Sequence, residues 1–340
     1  MLKHDPEKRT FRVESRRRGR FVLRVYGRHR RHGPEVIESE LRWLEALRRE
    51  AGLPAPEPVR AEDGSPVPLV CFEGAVNPRP CALLRWVPGM NKDDALGPED
   101  AAQIGACAAR IHRHSERRDP PSGFVRPRAW DWEWVFDESA PLWTGGESLL
   151  SPGELGVLRA AAERVREELR ELGDDRSVFG VIHRDLTPQN FVFHGGMAYA
   201  IDFDDCGLGH YLFDLAVALW ALEIYGPERA TALQGALAEG YIPERPLPGG
   251  HLPHLHAFMA LRLAQRLNRA VVRAREERRP RRPGYLVRPF EALKRFTELT
   301  GGEDPLRTPW WREGRGASLL VLLPGPALAR VLEGVACSLA

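Results

Sequence analysis

The stretch on which the fold turns reads Val181-Ile182-His183-Arg184-Asp185-Leu186-Thr187-Pro188-Gln189-Asn190-Phe191-Val192-Phe193-His194-Gly195-Gly196-Met197-Ala198-Tyr199-Ala200-Ile201-Asp202. Residues 191–193 and 198–203 are short apolar runs on either side of His194-Gly195-Gly196-Met197. A Gly-Gly pair between two such runs predicts a β-hairpin with a two-residue turn. That register sets Asn190 opposite Ile201 and next to Asp202. Neighbours across an antiparallel pair lie about 5 Å apart at Cα. An amide oxygen and a carboxylate then meet at the open end of one hairpin. Hard oxygen donors of this kind suit Mg²⁺, which keeps several waters and takes further ligands from phosphates. Asp185 stands five residues before Asn190, in a loop held by Pro188. It is placed to face the same spot and accept a proton. An isolated His-x-Asp is common in any chain, and His183 reads as a residue that orients the loop. The joint pattern carries the reading.

The rest of the chain frames this segment. It has 340 residues, 43% of them apolar, enough for one large domain or two modest ones with a full core. The net charge of +2 forces neither a nucleic-acid nor a membrane partner. Of the 49 basic residues only Lys3, Lys8, Lys92 and Lys294 are lysines, so a site that needs a basic group is expected to use arginine. The five cysteines are odd in number and form no C-x-x-C pair, which argues against a disulfide scaffold or a zinc ribbon. No run reaches the length of a membrane span, and the charged first thirty residues do not resemble a signal peptide. A cytoplasmic protein is expected.

Periodicity predicts strands first and helices later. Residues 10–14 alternate, a turn follows at Arg16-Arg17-Arg18-Gly19, and residues 21–26 form a second strand. Residues 35–50 carry Val36, Ile37, Leu41, Leu44 and Leu47 at helical spacing, ended by Pro54, Pro56 and Pro58. Strands are expected around 67–72 and 81–87. Helices are expected at 98–115, 152–172, 211–224, 228–240 and 255–279, with only the hairpin near residue 195 between them. The expected class is α+β: a small β-rich lobe at 1–87, a large mainly helical lobe at 88–300, and a cleft between them. Residues 301–340, with Trp310-Trp311, form an unassigned tail.

H-x-D-x-x-x-x-N, a hairpin and Ile201-Asp202 together resemble the aminoglycoside phosphotransferase and choline-kinase-like family, relatives of the protein kinases. The resemblance implies a two-lobed protein-kinase-like fold that uses ATP and Mg²⁺. It makes Asp185 the base that takes the acceptor's hydroxyl proton, and Asn190 and Asp202 the Mg²⁺ ligands. Gly207 and Asp214-Leu215-Ala216 match the family's later segment, where the aspartate braces the catalytic loop. Arg24, on the strand at 21–26, stands where the family normally has a phosphate-contacting lysine. Glu40 resembles the helix glutamate that pairs with this base, with Glu38 as the second choice. Ala82 to Gly89 resembles the hinge, where the Arg85 carbonyl and the Val87 amide would bond adenine with Leu84 behind it. His112 reads as packing.

Three departures stand out. Only 23 residues precede Arg24, so the chain is expected to begin inside the first strand. Arg184 replaces the glycine usual in antibiotic kinases of this family. No D-F-G occurs, no A-P-E follows the H-x-D segment, and the match ends near residue 300.

The expected activity is transfer of the γ-phosphoryl group of ATP to a hydroxyl of a small molecule such as an amino alcohol, sugar or aminoglycoside. The acidic excess of residues 51–261 is compatible with an amine-bearing acceptor. The aromatic run from Trp130 to Phe136 offers either a cage for an ammonium or core packing, with packing favoured. The alternatives are a Ser/Thr protein kinase of the bacterial stress-response type and a non-catalytic nucleotide-binding regulator. Nucleic-acid binding through the basic stretch 273–288 is disfavoured, because residues 262–279 read as a helix with a basic solvent face. Monomer and homodimer both stay open.

Overall fold

The structure, a computed structural model, describes residues 3–4, 8–27, 33–53, 55–73, 77–126, 132–247, 251, 254–276, 290, 293–294 and 296–297. The tail at 301–340, Trp130, and the basic stretch from 277 to 288 lie outside the described residues.

The small lobe is an antiparallel sheet. It comprises β1 (Lys3–His4), β2 (Lys8–Ser15), β3 (Gly19–Tyr26), β4 (Pro58–Val59), β5 (Leu69–Val70) and β6 (Arg79–Arg85), in the order β1-β2-β3-β6-β4 with β5 also on β6. The expected first hairpin is present, with Ser15 paired to Gly19 and Lys8 to Tyr26. Pro58 does not stay outside the sheet. It pairs with Leu84 on an edge strand, the place where a residue without an amide proton is tolerated. Helix α1 (Pro34–Ala51) starts on a proline, carries Glu35 in its first turn and Arg48 and Arg49 in its last. Its buried face (Val36, Ile37, Leu41, Leu44, Leu47) is the one the spacing predicted.

The large lobe is mainly helical: α2 (Pro98–Arg117), α3 (Trp132–Phe136), α4 (Pro141–Gly145), α5 (Pro152–Leu172), α6 (Tyr211–Ala221), α7 (Pro227–Glu244) and α8 (Leu255–Glu276). The two-lobed, kinase-like architecture expected from the sequence is the architecture found. Two small ribbons interrupt the helices. One is the pair β7 (Phe179–Ile182) and β10 (Gly207–His210), which periodicity missed because glycines occupy two of the four positions of β10. The other is the hairpin of β8 (Phe191–His194) and β9 (Met197–Ala200). Its register, Phe191 to Ala200 and His194 to Met197, is the one expected, and Gly195 and Gly196 turn it with φ of 57° and 75°. Trp132 and Phe136 of the aromatic run pack against the core. Trp132 donates to the Ala162 carbonyl (2.8 Å) and lies against Phe136, which stacks on Trp143.

Candidate active site

The catalytic-loop segment is built from buried hydrogen bonds. Asp214, fully buried on α6, accepts from the backbone amides of His183 (2.9 Å) and Arg184 (2.6 Å). His112 on α2 also reaches Asp214 through Nε2 (3.1 Å), while its Nδ1 meets the Tyr241 hydroxyl (2.8 Å). Burial holds this imidazole below its ordinary pKa, although Asp214 pulls the other way. His112 thus sits in the packing and adds hydrogen bonds to it. His183 joins Ile201 through Nε2 and the carbonyl (3.0 Å), which ties the loop to the hairpin's second strand.

Two non-glycine residues among those described have positive φ, Arg184 (70°) and Asp202 (64°). Both flank the chemistry, where stored backbone strain tends to concentrate. Arg184 explains itself locally. A glycine would take this conformation freely, whereas here the strain is held by Asp214 and by the guanidinium, which donates to the Leu208 carbonyl.

Asp185 and Asn190 are bonded to each other, and the hairpin register sets Asp202 one residue beyond Ile201, the backbone partner of Asn190. The Asn190 amide nitrogen donates to the Asp185 carbonyl (2.8 Å) and carboxylate (2.9 Å), and the Ile201 amide donates to the Asn190 carbonyl (2.8 Å). With its nitrogen committed to Asp185, the Asn190 side-chain oxygen is left as an acceptor. Asp202 contributes a carboxylate from the adjoining turn. These hard oxygens fit a hard divalent cation.

The small lobe supplies the basic groups. Arg24, 4% exposed, donates to Glu40 (2.6 Å) and to Asp202 Oδ1 (3.0 Å). Glu38 instead pairs with Arg42 on the helix surface (2.7 Å), which decides between the two glutamates as Arg24's partner. Leu84 is buried in β6. The Arg85 amide bonds the Glu57 carbonyl (2.8 Å), its side chain pairs with Glu57 (3.2 Å), and the Trp86 amide bonds the Arg20 carbonyl (3.0 Å). Val87 follows, half-buried, at the exit from the sheet.

Several contacts escaped sequence reasoning. Lys8 Nζ reaches Asp202 (2.9 Å) and Asp204 (2.5 Å), so a lysine from β2 enters the site although β3 has none. Asp204 is therefore paired, not a solvent-facing carboxylate. Burial and the neighbouring Asp202 push its pKa up, and Lys8 opposes them. The basic face of α8 also needs correction. Arg262 is buried and donates to Asp185 Oδ1 (2.8 Å), and Arg269 pairs with Asp205 (3.2 Å). Seven residues apart, they lie on one side of the helix, and that side faces the site. Asn91, just past the hinge, points its amide nitrogen at the carbonyls of Pro188, Gln189 and Phe191 (3.0–3.1 Å). No spacing rule signals any of these.

Comparison with known proteins agrees with this geometry. The sequence profile of the phosphotransferase enzyme family matches residues 2–251. An uncharacterised protein of Deinococcus radiodurans is 33% identical, over 74% of this chain and 71% of that one. A homoserine kinase of Azorhizobium caulinodans is 28% identical over 71% of each chain. Among solved structures, a microcompartment-associated aminopropanol kinase superposes with a TM-score of 0.70 at 29% identity, covering 85% of this chain and 89% of that one. An amicoumacin kinase in complex with AMP-PNP shares the fold at 19% identity, with a TM-score of 0.71 over 87% of this chain and 88% of that one. Among the described residues no helix is long and apolar enough to cross a membrane. The chain belongs to the phosphotransferase enzyme family and is an enzyme that transfers a phosphoryl group to a hydroxyl group.

Proposed function

We propose that this enzyme transfers the γ-phosphoryl group of ATP to a hydroxyl of a small molecule, with Mg²⁺ as the metal. The observation that carries the reading is Arg24 spanning Glu40 and Asp202, together with the bond from Asn190 to Asp185. Asn190 and Asp202 would hold the Mg²⁺, which would supply charge neutralisation at the phosphates. The chain's own residues do the rest. Asp185 lies where it can take the hydroxyl proton of the acceptor, and the bond from Asn190 orients its carboxylate. Arg24 offers a fixed fork to phosphate oxygens, and its pairing with Glu40 keeps that fork in place. The hinge at Arg85 and Val87, with Leu84 behind it, would take the adenine.

For the acceptor, an amino-acid alcohol of the homoserine type is the first choice. It is supported by the similarity to homoserine kinases and by Arg262, a fixed cation beside Asp185 that can receive a carboxylate. An ATP-coupled assay across homoserine, 1-amino-2-propanol, choline and an aminoglycoside tests this. Homoserine should turn over with a saturable KM. Turnover of a generic protein with no small alcohol accepted would favour the protein-kinase alternative. Asp185→Ala should abolish transfer and leave nucleotide affinity nearly unchanged.

A further inference from the structure

Asp202 and Asp204 lie on the same turn after the hairpin and converge on one ammonium. Lys8 Nζ stands 2.9 Å from Asp202 Oδ1 and 2.5 Å from Asp204 Oδ2. The lysine comes from β2, in the other lobe, and is 5% exposed. Asp202 Oδ1 is shared further with Arg24 at 3.0 Å. One oxygen of the carboxylate read as a metal ligand is thus held by two cations of the small lobe. Lysine is a compact point charge with three donors, so a single side chain can serve both aspartates. Burial works against the Lys8 charge, and the two carboxylates more than offset it.

We propose that Lys8 is a built-in competitor of the divalent cation at Asp202. Its ammonium holds Asp202 and Asp204 until a cation arrives together with a nucleotide, whose phosphates then take up the ammonium. The inference rests on Asp202 being a metal ligand. A bare divalent cation would meet like charge at close range and would have to break two buried ion pairs, a poor exchange in a site of low effective dielectric. A metal–nucleotide complex brings its own anionic oxygens. These replace the carboxylates as partners of Lys8, and no charge is left alone. The site would therefore refuse free metal and load metal and nucleotide as one unit. Nothing in the spacing of Lys8, far from the hairpin in sequence, signals this.

The test is Mn²⁺ binding to the whole chain followed by electron paramagnetic resonance, with and without AMP-PNP. Lys8→Met should bind free Mn²⁺ at least about tenfold more tightly than the unaltered protein. Lys8→Arg, which keeps the charge, should bind free Mn²⁺ as weakly as the unaltered protein. With AMP-PNP present the order should reverse, and Lys8→Met should hold the Mn²⁺–nucleotide complex less tightly. If Lys8→Met does not fold, Lys8→Gln, which keeps an amide donor for the aspartates, is read the same way. Equal free-Mn²⁺ affinity in all variants, with nucleotide-dependent binding intact, overturns the competition and leaves the kinase reading standing. If no protein binds Mn²⁺ even with AMP-PNP, Asp202 is not a metal ligand and both readings fall.

Discussion

The side-chain amide of Asn190 donates to both the backbone carbonyl and the carboxylate of Asp185, at 2.8 and 2.9 Å. One nitrogen thus sets the aim of the proposed base and turns the remaining amide oxygen the other way. Asn190→Asp replaces that donor with a second carboxylate. Asp185 then loses the bond that aims its carboxylate and faces like charge instead. kcat should fall by about 10²-fold or more. An unchanged kcat would show that the aim set by Asn190 is not used in the rate.

Arg24 serves two carboxylates with two different nitrogens, Nη1 to Glu40 and Nη2 to Asp202. A lysine offers a single ammonium and cannot reproduce that span. Arg24→Lys should fold and raise the apparent ATP KM, on the order of tenfold. Arg24→Ala leaves Glu40 buried without its charge partner and should cost about 3–5 kcal/mol of stability. Calorimetric ATP titration beside thermal unfolding separates the two effects.

A Cβ added at Gly207 would lie 2.9 Å from Cζ and 3.0 Å from Nη1 of Arg184. That guanidinium anchors a residue held at a φ of 70° next to the catalytic loop. Gly207→Ala should cost about 1–3 kcal/mol by overpacking. It should also lower kcat with less effect on the nucleotide KM. A Tm equal to that of the unaltered protein would show that Arg184 can move aside freely.

His112 and His256 are buried, and burial lowers the pKa of both, that of His256 to about 3. The unfolded chain takes up protons at these histidines below roughly pH 6.5, where the folded chain does not. Their contribution to stability is complete above that pH and is lost as the pH falls toward the folded values. Each adds a slope of up to about 1.4 kcal/mol per pH unit within its window. Urea midpoints should therefore fall on acidification from roughly pH 7 to pH 5. His256→Gln should flatten the curve.

What could be read from the sequence was local. The hairpin register followed from two glycines between two short apolar runs, and it set Asn190 opposite Ile201, next to Asp202. Helix α1 followed from its apolar spacing, but the spacing could not choose between Glu40 and Glu38. The chain settles that by burying the Glu40 carboxylate against Arg24 and leaving Glu38 on the surface. Lys8, Arg262 and Asn91 were not legible for a different reason. Each reaches the site from more than seventy residues away in sequence, through contacts that only the assembled lobes define. The basic face of α8 was read correctly as a face, and it is solvent-facing at Arg273 and Arg275 but not at Arg262 and Arg269, which turn to the site. Periodicity gives the side of a helix, not what lies opposite it.

Every carboxylate of the cleft named above has a basic partner from the chain itself: Asp185 has Arg262, Asp202 has Arg24 and Lys8, Asp204 has Lys8, and Asp205 has Arg269. Opposite charges this close cancel one another's field within a few ångströms of the mouth. An ammonium-bearing acceptor is then not drawn in from a distance, despite the acidic composition of the middle of the chain. Its association rate should be that of unassisted diffusion and nearly independent of ionic strength. Discrimination among acceptors is left to the contacts made after arrival.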